Sequence, residues 1–297
     1  MSSVPDTTIP APFKPAVAPG KAGVAIYRHR LATRIGHWIN VLCLTVLLMS
    51  GAQIFNAHPR LYWGQYGANA DPAVLAMAAV EGPNGAAVGV TQVGPWTFRT
   101  TGVFGLSKER GQITERGFPA WLTLPSYQDL ATGRHWHFFF AWLLVVNGLV
   151  YLIHTVLSGH LKRDLLPRKD ELRPRHLGQD IWDHLRLRQP VGEAATRYNT
   201  LQKISYLAVI FVLLPLMLLT GLTLSPGMDA VLPVLLDVFG GRQSARTLHF
   251  ITANLIVLFV VVHLAEVLIS GPWNEVRSMI TGWYVARTGK AGGETPS

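Results

Sequence analysis

A single cysteine in 297 residues, Cys43, leaves no partner for an internal disulfide and too few thiolates for an iron–sulfur cluster. The C-x-x-C-H site at which haem attaches covalently is also missing, so any haem must be held by non-covalent contacts and axial ligation alone. Charge is scarce too. Asp, Glu, Lys and Arg make up only 14% of the residues against 49% hydrophobic ones, too little to coat one or two soluble domains. No Gly-rich nucleotide motif occurs, and no serine, cysteine or carboxylate constellation points to hydrolysis. The net charge of +9 does not signal nucleic acid, because the basic residues gather beside apolar segments instead of alternating with aromatics along a groove. The N-terminus, rich in Pro and Ala as far as Gly23, lacks a basic stretch followed by an apolar core, and so reads as a flexible cytoplasmic tail over residues 1–24.

What the chain does contain is apolar runs of membrane length. Four windows reach the roughly 20 residues that a spanning helix needs: 37–55, 138–157, 204–224 and 248–269. The segment 56–134 holds Pro, Gly, Trp and Tyr with only a short apolar run, Ala73 to Val80, and cannot be a fifth span. The connection 158–203 is strongly basic. Lys and Arg number 5 in the N-terminal tail, 10 in this connection and 3 after the last span, against 6 in segment 56–134 and 2 between spans three and four. The positive-inside rule then puts both termini in the cytoplasm, including a tail at 286–297, and segment 56–134 in the periplasm. The expected architecture is an all-α four-helix transmembrane bundle over residues 25–285. Met228 to Phe239, with Pro233 inside, is expected as a short interfacial helix, and no internal repeat is visible.

The last apolar run carries His249 and His263, fourteen residues apart. At about 100° and 1.5 Å per residue the two share one face and lie about 21 Å apart along the helix, near opposite leaflets. An imidazole in hydrocarbon needs a partner, and other spans supply them at matched depths. His137 opens the second span on the outer side and His37 opens the first on the inner side. The pairs are therefore His137 with His249 and His37 with His263, each suited to hold the iron of one b-type haem between two neutral imidazoles. His135 competes for the outer position but points about 160° away from His137 on a helix. His154, at the inner end of span two, reads as an interfacial residue. Gly51, Gly148 and Gly221 offer room for a planar macrocycle, and Arg134 and Arg246 at the outer rim and Arg34 at the inner rim suit its propionates.

These stretches resemble a known family. RIGHWIN at 34–40, RHWHFFFAWL at 134–143, SGHLKRDLLP at 158–167, YNTLQK at 198–203, GGRQSARTLHF at 240–250 and HLAEVLISGP at 263–272 are similar to the bacterial di-haem cytochrome b subunits found with nickel hydrogenases, formate dehydrogenases and thiosulfate reductase-like enzymes. The resemblance implies the same four ligands, His37, His137, His249 and His263, and a departure at His135, where many relatives have arginine. It also implies electron exchange between a membrane quinone, menaquinone or ubiquinone, and a periplasmic redox partner, often a molybdopterin oxidoreductase. Relatives bind quinone near the inner haem and the start of span three, which here means Asn199, Gln202 and His263. A stand-alone quinone-linked cytochrome acting on a diffusible molecule such as superoxide is the second reading. A transporter or assembly anchor, with histidines for proton transfer or packing, is the third. Trp63, Tyr66, Trp96 and Trp121 in segment 56–134 are the candidate anchors for a partner.

Overall fold

The computed structural model describes residues 24–159, 166–185 and 200–286, apart from Ala70, Arg110 and Lys169. Nearly all of both expected tails and much of the basic connection lie outside these residues. In chain order come strand β1 (Val24–Tyr27), helix α1 (Leu31–Phe55), strands β2 (Arg60–Leu61), β3 (Leu75–Glu81), β4 (Ala87–Val93), β5 (Trp96–Arg99), β6 (Gly105–Glu109) and β7 (Gln112–Arg116), and helices α2 (Leu130–Leu157) and α3 (Pro174–Leu185). Then follow α4 (Thr200–Ala208), a π-helical turn (Val209–Leu213), α5 (Leu214–Thr223), α6 (Pro226–Val231), α7 (Val234–Val238), α8 (Arg242–Ser270), α9 (Pro272–Thr281) and β8 (Trp283–Ala286).

Four helical stretches are long and apolar enough to cross a bilayer: α1, α2, the run Thr200–Thr223, and α8, of 25, 28, 24 and 29 residues. At about 1.5 Å per residue even the shortest exceeds the roughly 30 Å hydrocarbon core. Each begins several residues before the apolar window that announced it. The first turns hold Arg34, Arg134, Lys203, Arg242 or Arg246, which a hydropathy window rejects but which a helix end in the headgroup layer accepts. Local chemistry sets the starts. Asp129 caps α2, accepting from the Thr132 backbone N–H at 3.1 Å and its hydroxyl at 2.7 Å. At α8 the caps come from another segment: the Gly64 carbonyl accepts from the N–H groups of Gln243 and Ser244 at 3.0 and 3.1 Å, and Gln65 Oε1 from that of Arg242 at 2.9 Å. That approach requires Gly241, where a Cβ would sit 2.6 Å from Gln65 Cα. In the third span Pro215 cannot donate to the preceding turn, and the helix widens into the π-turn just before it.

The interior of the bundle is lined by small polar residues, while its large apolar side chains face outward. Ser50, Thr220, Thr223, Thr247 and Thr252 are buried, whereas Phe139, Trp142, Val146 and Val150 are exposed. This inversion is expected where the solvent is lipid. α1 packs on α2 and α5 on α8.

The expectation of a purely helical chain is corrected in the connection between α1 and α2. Strands β2, β3, β4 and β5 form an antiparallel sheet in that order, and the β6–β7 hairpin lies across it. The hairpin crosses where Gly105 meets the sheet, its φ of +76° and a virtual Cβ 2.4 Å from the Ala78 carbonyl allowing only glycine. The module is fastened to the helices. Leu61 and Met77 bury against Phe55 of α1, with Phe250 of α8 packed on the same cluster. Buried Arg116 donates to the Thr123 hydroxyl at 2.9 Å, to the Ser126 carbonyl at 3.0 Å and to Gln53 of α1 at 3.4 Å, and pairs with Glu109. The sequence does not announce these strands because they are two to seven residues long and partly exposed, so their period-two pattern is weak beside the membrane signal.

At the opposite end β1 and β8 pair antiparallel, Val24 with Ala286 through Tyr27 with Trp283. This ribbon is tied to α9 by Asn274, which exchanges two hydrogen bonds with the Val285 backbone, and by Arg28 with Glu275 at 3.4 Å. The expected short helix over 228–239 is two, α6 and α7, divided at Pro233. The bundle thus has a module end and a ribbon end.

Candidate functional site

The four histidines meet as two pairs. Near the module end the rings of His137 on α2 and His249 on α8 lie with centroids 6.3 Å apart; near the ribbon end those of His37 on α1 and His263 on α8 lie 6.4 Å apart. Direct hydrogen bonding between two imidazoles would bring the centres to about 5 Å, given a nitrogen–nitrogen distance of about 2.9 Å. A metal between them needs about 2.0 Å per bond plus about 1.1 Å from nitrogen to ring centre, or about 6.2 Å in all. Both pairs therefore fit two-fold axial ligation. Among the described residues no group of three or more His, Cys, Asp or Glu gathers to hold a bare metal ion. Two protein ligands per site are what a haem iron, with four equatorial nitrogens of its own, leaves room for.

The module-end pair is oriented by hydroxyls. Ser50 Oγ lies 3.0 Å from His137 Nδ1, and Thr220 Oγ1 lies 3.0 Å from His249 Nδ1. Each hydroxyl has one proton and gives it to a carbonyl of its own helix, Val46 or Leu216, at 2.6 Å. Each must then accept from the imidazole, which fixes the proton on Nδ1 and leaves the Nε2 lone pair free. Gly51 and Gly221, the next residues, make space for the rings: a Cβ there would meet Cε1 of His137 at 3.4 Å and of His249 at 3.3 Å.

The ribbon-end pair is held differently. Phe259 stacks on His263 at 6.2 Å, Tyr206 packs edge-on against Phe259, and Trp38 meets His37 edge-on at 5.5 Å. His37 Nδ1 is buried and has no hydrogen-bond partner. Nearby, Asn147 of α2 donates to the Gly36 carbonyl at 3.0 Å and to Asn40 Oδ1 at 2.7 Å, fastening α2 to the first turns of α1.

Of the other expected residues, His135 and His154 are exposed and join neither pair. Gly148 faces open space. Arg134 is exposed and stands over the Phe138 ring, while Arg34 donates to the Ile280 carbonyl and Arg246 to the His58 carbonyl. Gln202 meets Glu266 of α8 at 3.4 Å, one turn beyond His263, and Asn199 lies outside the described residues. Ser50, Thr220, Asn147 and Glu266 were not singled out from the sequence. The glycines at 51 and 221 were, and a hydroxyl residue directly before each was the signal that went unused.

With this geometry in place, comparison with known proteins assigns the class. Residues 28–282 match the model of the prokaryotic cytochrome b561 family. The chain belongs to that family. This cytochrome is accordingly a multi-pass bacterial membrane protein that binds b-type haem and serves electron transport. It is 28% identical over 234 residues, 79% of this chain and 86% of the relative, to the putative protein-methionine-sulfoxide reductase subunit YedZ1 of Azospira oryzae. No solved structure matches it.

Proposed function

We propose that this cytochrome carries two b-type haems, one between His137 and His249 and one between His37 and His263, and passes electrons between the membrane quinone pool and a redox enzyme docked on the β module. The observation that carries the proposal is the pair of ring separations, 6.3 and 6.4 Å, at two depths of one bundle. Bound haem supplies a one-electron carrier; the protein's part is to fix the imidazoles, exclude water and bring reactants to the right ends. The positive-inside bias supports a cytoplasmic ribbon end and a periplasmic module. At the ribbon end Gln202 supplies an amide for a quinone carbonyl, and Glu266 beside it is a carboxylate able to take up or release a proton. Asn199 is the second expected amide at that site.

The partner is a periplasmic molybdopterin oxidoreductase. Two features support a protein partner over a small diffusible oxidant such as superoxide. The relative YedZ1 is described as a reductase subunit, and the module exposes Trp63, Tyr66, Trp96, Phe98 and Trp121. A transporter or anchor would not need two ring pairs at metal-bridging separation.

Pyridine haemochrome assay of the purified protein should give two haems per chain. Replacing His137 or His249 should empty mainly one site, and replacing His37 or His263 the other. One haem or none in the unaltered protein overturns the proposal.

A further inference from the structure

Arg246, one turn before His249 on α8, stands in a cluster with His58 and Tyr62, two of whose polar atoms lack a partner. Tyr62 is 2% exposed, yet its hydroxyl has no partner, and Nε2 of His58 is buried and equally unpartnered. The two rings stack at 5.8 Å. Tyr62 is locked in place: its carbonyl accepts from the Thr247 hydroxyl at 2.6 Å, and Gly67 is packed so closely that a Cβ would fall 2.4 Å from the ring. Beside them the Arg246 guanidinium lies over Phe55 at 5.7 Å and donates to the His58 carbonyl, and no described carboxylate pairs with it.

An unpaired buried hydroxyl or imidazole is destabilising, and a half-buried guanidinium without a counter-charge adds to that cost. A phenol O–H, an imidazole N–H and a guanidinium on neighbouring side chains are the donors that a carboxylate takes. Arg246 precedes His249 by three residues, so the two lie on the same face of α8, one turn apart. We propose that His58, Tyr62 and Arg246 form a carboxylate seat, and that its occupant is a propionate of the haem held between His137 and His249. This rests on the proposed haem site. It adds two residues from the start of the β module to that site, so the module both presents a surface and helps to hold the macrocycle.

The test uses the detergent-purified cytochrome and two variants, Tyr62→Phe and His58→Phe, each of which keeps a ring in the stacked pair and removes its donor. Both haems should be retained. Removing a donor leaves the propionate charge less compensated and favours the ferric form, so the midpoint potential of the module-end haem should fall. The full worth of one hydrogen bond, about three- to ten-fold, is the ceiling on the change in the reduction equilibrium, since only its difference between ferric and ferrous forms counts. At 59 mV per tenfold for one electron that is about 30–60 mV. The propionate bending band in the resonance Raman spectrum should move in the same variants. Two retained haems with unchanged potential and unchanged band in both variants overturn the seat while leaving the haem assignment standing. Absence of haem from the unaltered protein would instead overturn that assignment. A potential or band that shifts when acetate is added to the unaltered protein makes the occupant a free anion and overturns the propionate.

Discussion

The hydroxyl of Thr220 gives the most direct measure of how much the bundle does beyond supplying ligands. Thr220→Val keeps the shape and removes the acceptor for His249 Nδ1–H, now 3.0 Å away. Loss of such a supporting bond lowers metal affinity by about 10–100-fold, or about 1.4–2.7 kcal/mol. The direction of the redox effect also follows. A less strongly hydrogen-bonded imidazole donates less charge to iron, which disfavours the ferric state, so the midpoint potential should rise.

Haem transfer to excess apomyoglobin measures the affinity, and a potentiometric titration followed optically measures the potential. Ser50→Ala should behave alike at His137, whose Nδ1 lies 3.0 Å from the Ser50 hydroxyl. Thr223→Val is the control: that hydroxyl is equally buried but bonds only the Leu219 carbonyl of its own helix. If Thr220→Val loses haem no faster than Thr223→Val and the potentials coincide, the hydroxyl has no part in orienting the ligand.

Other perturbations test the remaining surfaces. Gln202→Leu removes an amide of similar bulk and should slow haem reduction by quinol several-fold, for a hydrogen bond of about 0.5–1.5 kcal/mol, with both haems retained; equal rates would exclude Gln202 from the quinone site. Trp96→Ala combined with Trp121→Ala, at side chains 66% and 72% exposed, should cut electron transfer with the partner at least tenfold and leave the optical spectrum unchanged. Full transfer would free these aromatics of a docking role. His29 is pushed down to about 4 from 6.5 by burial and by the charge of Arg28, so below pH 6.5 the unfolded chain takes up a proton that the folded chain refuses. Stability should therefore fall as pH drops from about 6.5 towards 4, and His29→Gln should remove that part of the loss. A melting temperature with the same pH dependence in both proteins would refute it.

The legible part of this fold is the part with long periodicity. Spans of 24 to 29 residues stand out from any composition, and histidines fourteen apart on one of them share a face by geometry alone. The pairing of His137 with His249 and of His37 with His263 followed from depth, which the orientation of successive spans determines. The start of each helix was less legible, because charged first turns end a hydropathy window without ending a helix. The β module was illegible for the opposite reason. Its strands are short, and its stability comes from distant residues, Phe55 and Phe250 above all, that no local window joins. His58 and Tyr62 read as ordinary loop residues until the loop is folded against α8.

The module-end site is built twice from the same parts, although no sequence repeat announces it. On one side Ser50 and Gly51 of α1 face His137 of α2; on the other Thr220 and Gly221 of α5 face His249 of α8. In each half the hydroxyl bonds a carbonyl four residues back and the imidazole ahead, and the glycine clears Cε1. The two halves thus present the same tautomer to a shared centre, as two imidazoles binding one iron require. The ribbon-end pair has no such duplication, since its histidines come from α1 and α8 and rest on Trp38 and Phe259. Hydrogen bonds to the ligands and burial set haem potentials, so the two proposed sites, with different surroundings, should differ in potential. Hydrogen bonds to Nδ1 would strengthen both proposed module-end ligands and stabilise ferric iron, which argues for the lower potential there unless the Arg246 cluster, acting in the opposite sense, outweighs them. The Thr220 and Tyr62 variants move that haem in opposite directions, and so measure the two effects separately.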